Sequence, residues 1–170
     1  GAYNVAACTT LQLNGGTRNL NAGTGFTGSG AVVVSGGVVN ANVNLALGNP
    51  FTLTGGDSVT LGGAGNVTLN GSFAWNGGAD MTGTGTLITN GVTTVATLVA
   101  GVGNGLGKNW TNNGTVNLAA DGQIFYFNTP STLTNAAGGV FNMNSTVATP
   151  LAVANSSGHV FTNLGTFNKS

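Results

Sequence analysis

Apolar and polar residues alternate along most of this chain in short runs, as in Val43, Leu45, Leu47; Phe51, Leu53; Val67, Leu69; Phe73, Trp75; Val116, Leu118; and Phe141, Met143. A period of two is the signature of a strand with one apolar face. Between the runs stand Gly-Gly pairs (15 and 16, 36 and 37, 55 and 56, 62 and 63, 77 and 78, 138 and 139) and Asn-Gly pairs (14 and 15, 70 and 71, 76 and 77, 90 and 91, 104 and 105, 113 and 114). These dipeptides reach positive φ at little steric cost, so they predict a turn every few residues. Helix signals are almost missing, because Gly, Thr, Val and Asn dominate where straight-chain helix formers would be needed. The pattern predicts an all-β protein made of many short strands.

A degenerate repeat adds a longer period. Thr111-Asn112-Asn113-Gly114-Thr115-Val116-Asn117 is echoed by Thr134-Asn135 through Gly139-Val140-Phe141-Asn142 and by Thr162-Asn163-Leu164-Gly165-Thr166-Phe167-Asn168. With Asn as the marker, positions 70, 90, 112, 135 and 163 are separated by 20, 22, 23 and 28 residues. Such a spacing belongs to stacked arrays and suits one coil of three strands and three turns. It predicts a parallel β-helix (β-solenoid) of roughly eight short coils about 4.8 Å apart, a rod on the order of 40 Å long. A two-sheet sandwich also alternates and turns at short intervals, and is the competing fold. The solenoid gains on it because turn chemistry recurs at like points of successive units, where Asn side chains can ladder.

Residues 31–170 carry this pattern most clearly. Residues 1–30 differ: an opening strand with Val5, Leu11 and Leu13 precedes a Gly/Asn/Thr-rich stretch, Asn14 to Gly30, that reads as a linker. One reading has the opening strand exchanged into a neighbouring subunit, as donor strands are; the plainer one is an irregular first coil.

Composition narrows the function classes. Lys and Arg number 3, Asp and Glu 3, and the net charge is zero, while Gly contributes 31, Thr 25 and Asn 24 of 170 residues. No basic patch exists to displace counterions from a phosphate backbone, so nucleic acid is not an expected partner. Disorder is disfavoured, since disordered chains pair low hydrophobicity with high net charge and here 41% of residues are hydrophobic. No apolar stretch is long enough for a membrane-spanning helix. The lack of charge also removes the repulsion that keeps proteins apart. A coil stack leaves an unpaired strand row at each end, usually blunted by charges, Pro or bulges. Little of that equipment is evident in the sequence, which predicts head-to-tail self-association through main-chain bonds, a homopolymer.

Candidate chemistry is sparse. Asp57, Asp80 and Asp121 are the three acids, the first two one coil apart, but each sits in turn-like sequence where Asp bonds its own backbone. His159 is the single histidine and Cys8 the single cysteine, so no two-His zinc site and no internal disulfide can form. A Cys8–His159 dyad is formal only, and Cys8 reads as a small buried hydrophobe. Trp75, Trp110, Tyr126 and the eight Phe could line a sugar-binding face, though their alternation with Asn and Thr favours interior stacking. Thr52/Thr54, Thr82/Thr84/Thr86 and Thr132/Thr134 suggest the flat Thr ranks of ice-binding solenoids but are irregularly spaced. No catalytic, cofactor or metal site is expected.

The run Ser72-Phe73-Ala74-Trp75-Asn76-Gly77-Gly78-Ala79-Asp80-Met81-Thr82-Gly83-Thr84-Gly85-Thr86, with the Thr111 and Thr162 repeats, resembles the β-strand-rich repeats of large secreted bacterial surface proteins, similar to filamentous-haemagglutinin and autotransporter passenger regions. The resemblance covers about residues 66–170. It implies a right-handed parallel β-helix, export to the cell surface, and a role as stalk, adhesin or fibre. The expectation is a non-enzymatic structural subunit of an extracellular fibre. The alternative is a surface module that binds glycan or, with less support, ice.

Overall fold

The computed structural model describes residues 1–97, 103–127, 129–153 and 157–170. Every regular element among them is a strand, and the strands pair in parallel. β1 (Ala2–Asn4) and β2 (Thr10–Leu20) make the first coil, β3 (Gly25–Thr27) and β4 (Ala31–Ala41) the second. Three separate strands make each later coil: β5 (Leu45–Leu47), β6 (Phe51–Leu53) and β7 (Thr60–Gly62), then β8 (Val67–Leu69), β9 (Phe73–Asn76) and β10 (Asp80–Met81). The fifth holds β11 (Leu87–Thr89), β12 (Val92–Ala96) and β13 (Asn104–Leu106); the sixth holds β14 (Trp110–Asn112), β15 (Thr115–Leu118) and β16 (Ile124–Tyr126). β17 (Thr132–Asn135), β18 (Val140–Met143) and β19 (Leu151–Val153) complete the next, and β20 (Val160–Asn163) and β21 (Thr166–Lys169) open another. The chain is a β-solenoid of about seven turns. The sandwich is thereby excluded, because each strand pairs with its counterpart one coil away.

Three faces run the length of the stack. Face 1 carries β1 and β3, then β5, β8, β11, β14, β17 and β20; face 2 carries the first halves of β2 and β4, then β6, β9, β12, β15, β18 and β21; face 3 carries the second halves of β2 and β4, then β7, β10, β13, β16 and β19. The Gly-Gly pairs explain why β2 and β4 cross two faces. Gly16 and Gly37 turn the corner at φ of +69° and +71°, and a Cβ on Gly37 would stand 2.2 Å from the Gly16 carbonyl oxygen. Glycine is needed there for both conformation and closeness. The stretch that composition reads as a linker is therefore this corner with its flanking strands. β1 pairs with β3 and β2 with β4 of the same chain.

Alternation sends one set of side chains inward, in columns. On face 2 these are Leu11, Val32, Phe51, Phe73, Thr93, Val116, Phe141, Phe167 and, beside them, Leu13, Val34, Leu53, Trp75, Val95, Leu118, Met143, Lys169. Face 1 adds Leu45, Val67, Leu87, Trp110, Leu133, Phe161, and face 3 adds Val39, Leu61, Met81, Leu106, Tyr126. Trp75 and Trp110 meet edge to face at 5.9 Å, and the Trp75 indole N–H donates to the Ala79 carbonyl at 2.7 Å. Each such buried side chain contributes about 1.5–3 kcal/mol, which offsets the entropy lost by so many glycines.

Polar ladders complete the stack. The Asn112 side-chain amide donates to Asn135 Oδ1 at 2.8 Å, and Asn135 donates to Asn163 Oδ1 at 2.7 Å. Asn112 and Asn135 are buried; the column starts at Thr89, whose hydroxyl donates to Asn112 Oδ1 and accepts from the Trp110 indole. A separate exterior ladder joins Asn113 to Asn90 and Asn90 to Asn70, at 2.9 and 2.7 Å. The marker series 70, 90, 112, 135, 163 thus runs together two ladders, outside for the first two and inside for the last three. Asn113, not Asn112, stacks on Asn90.

Candidate functional site

The residues that could carry chemistry are dispersed by the coil. Cys8 lies in the turn Ala6–Thr9 of the first coil, exposed and at φ +60°, not buried as its residue type suggests. His159 precedes β20 at the other end of the stack, which separates the formal Cys8–His159 pair. The His159 ring accepts at Nδ1 from the Ser131 backbone N–H at 3.1 Å, lies 3.0 Å from Ser131 Oγ, and packs against the Tyr126 ring at 5.1 Å. It ties the last coil to the one before.

Asp57 occupies the turn between β6 and β7, and Asp80 begins β10 on face 3. Burial, reinforced by the Asp57 carboxylate, pushes Asp80 up to about 6. Asp121 lies in the Ala119–Gly122 turn after β15. No group of three or more His, Cys, Asp or Glu able to hold a metal ion occurs among the described residues. None of the described helices, of which there are none, could cross a membrane.

Trp75, Trp110 and Tyr126 are interior, at 0%, 0% and 4% exposure, so they offer no sugar-binding face. Threonines do align in one outward column of face 1: Ala46, Thr68, Ile88, Thr111, Thr134, Thr162. Ala46 and Ile88 interrupt that rank.

Two features were not legible in the sequence. Lys108, between β13 and β14, continues the inward alternation of Leu106 and Trp110 and is 2% exposed. Its Nζ has no hydrogen-bond partner among the described residues, and burial pushes the amine down to about 8. Phe125 and Phe127 face outward on face 3, leaning over β13.

The ends of the stack are better equipped than the sequence suggests. Arg18 stands in the inward column of face 3, paired in register with Val39, and Lys169 in that of face 2, paired with Met143. Inward-set charges on terminal strands are a known means of blunting an edge. Beside them the last coil is apolar: of the five exposed large hydrophobic side chains among the described residues, Val153, Val160, Leu164 and Phe167 lie on β19–β21 or the corner between them, and Val92 alone lies elsewhere.

Comparison with protein-family profiles, with characterised proteins and with solved structures finds no match to this chain.

Proposed function

We propose that this chain is a structural subunit of an extracellular bacterial fibre or surface stalk, adding end to end through its open strand edges. The observation that carries the reading is the last coil: among the described residues β19, β20 and β21 have a strand partner on one side only, and four exposed large apolar side chains gather there. At the other end, β1 and β2 likewise have one free edge, with Tyr3 and Leu11 half-buried in it. Stacking one copy on the next continues both the ladders and the core columns of face 2, where Phe167 of one copy meets Leu11 of the next. The partner is a second copy, and the repeat resemblance supports placement at the cell surface.

The two cations set a limit on this association. In the stack Lys169 faces Leu13 of the next copy and Val153 faces Arg18, so each charged head must swing outward while its apolar stem stays in the contact. Negative-stain microscopy and sedimentation of the purified chain test the reading. Filaments about one solenoid wide are expected, lost in Leu164→Lys with Phe167→Lys. A monodisperse monomer at high concentration overturns it.

A further inference from the structure

Face 3 carries an aromatic shelf built on a strip of glycines. Gly103, Gly105 and Gly107 are the outward positions on and beside β13, and the two phenylalanines of the next coil lie across them. A Cβ on Gly103 would stand 1.7 Å from Phe125 Cδ2; one on Gly105, 2.6 Å from Phe127 Cε1; one on Gly107, 3.3 Å from the same atom. Any side chain at the first two positions would lift the rings off the sheet. Phe125 and Phe127 are two residues apart on one extended segment, so their rings lie about 6.6 Å apart along it. Both residues are half-buried.

A carboxylate borders this shelf from the opposite coil. Asp80 Oδ1 lies 2.1 Å from the same Gly105 Cβ point, so the carboxylate and the Phe127 ring edge both lie over this glycine. A ring edge is its positive part. The negative ring faces suit C–H groups, while the carboxyl can bond hydroxyl or amino groups at the rim. Asp57 acts on Asp80 from the neighbouring coil. Asp80 is thus the acid at the shelf, and no Lys or Arg is outward on this face between β7 and β19. The Asp80 carboxylate at the rim disfavours an anionic group beside it and suits a hydroxyl or amino group there.

We propose that the Phe125–Phe127 shelf with Asp80 binds a saccharide chain of neutral or amino sugars, two successive rings stacking on the two phenylalanines. Such a ligand has the required form: flat apolar ring faces with polar groups at the edges, matched by aromatic walls and a few placed polar atoms. The shelf lies on the flank of the stack and does not depend on end-to-end association.

Isothermal titration with cellohexaose and with glucosamine hexamer tests the proposal, on the full chain held dilute enough to remain unassembled. At least one probe is expected to bind, with Phe125→Ala and Phe127→Ala each weakening it about tenfold, the equivalent of 1.4 kcal/mol. Thr111→Ala, on face 1, serves as the control and leaves the affinity unchanged. Circular dichroism confirms that each variant is folded. Gly105→Ala, which displaces ring and carboxylate together, is expected to abolish binding. Failure of both probes to bind at millimolar concentration overturns the proposal. So does binding indifferent to both phenylalanines, or equal binding of polygalacturonate.

Discussion

Replacing Lys108 by Met removes a charge from the solenoid interior while keeping an unbranched side chain of similar length. The Nζ group is buried without a hydrogen-bond partner among the described residues, and burial lowers the amine from 10.5 to about 8. The sign follows from proton counting. Between pH 8 and 10.5 the unfolded chain holds a proton that the folded chain has lost, so stability rises with pH across this window; below pH 8 both states are charged and the full penalty remains. The whole shift corresponds to about 3 kcal/mol, most of which is recovered between pH 7 and pH 10. Burial raises the Tyr126 hydroxyl, and that group loses stability only as pH climbs above its unfolded value near 10, so pH 10 bounds the useful range. Urea unfolding followed by circular dichroism at pH 7, 8, 9 and 10 should show the midpoint of the natural chain rising with pH. Lys108→Met should be more stable than the natural chain at pH 7 by about 3 kcal/mol, with a flat profile. A flat profile in the natural chain, or a variant that tracks it, would refute the reasoning.

Asn135→Ala should cost about 1–3 kcal/mol by leaving buried amide and carbonyl groups unpaired, whereas Asn142→Ala, in the outer ladder with Asn117 and Asn168, should change the urea midpoint little. Gly91→Ala puts a Cβ 2.3 Å from the Gly71 carbonyl oxygen, so a marked loss of thermal stability is expected, and a silent substitution would contradict the close corner stacking. Asp80 is raised above its unfolded value, so its contribution is full below about pH 4 and lost by pH 6; Asp80→Asn should be more stable than the natural chain at pH 7, with the advantage shrinking toward pH 4. Arg18→Leu and Lys169→Leu should each hasten association as followed by light scattering, and slower association would refute their role in blunting the ends.

The strands and their inward residues could be read from alternation, because a period of two survives in every coil and Val, Leu, Phe and Trp mark the core face at Val34, Leu53, Trp75 and Leu118. Coil number came out close because Asn and Gly recur at corners. The register did not, because Asn112 and Asn113 are adjacent and chemically identical; only the geometry tells that one folds inward and the other stacks outside. Lys108 was opaque for the opposite reason, since a lysine in a Gly/Asn-rich turn reads as solvated and its burial depends on Leu106 and Trp110 fixing the alternation around it. The Phe125 shelf depends on glycines a coil away, about 20 residues distant, a relation that no local window contains. The places of Arg18 and Lys169 at the ends of core columns come from register, which pairs Arg18 with Val39 and Lys169 with Met143 across coils far apart in the sequence.

Among the described residues each strand pairs only with its counterparts in the coils on either side of it. Force applied along the axis therefore has no single lock to break. A pulled molecule should peel from one extremity in increments of one winding, and a chemical injury in the middle would leave both flanking portions able to keep their shape.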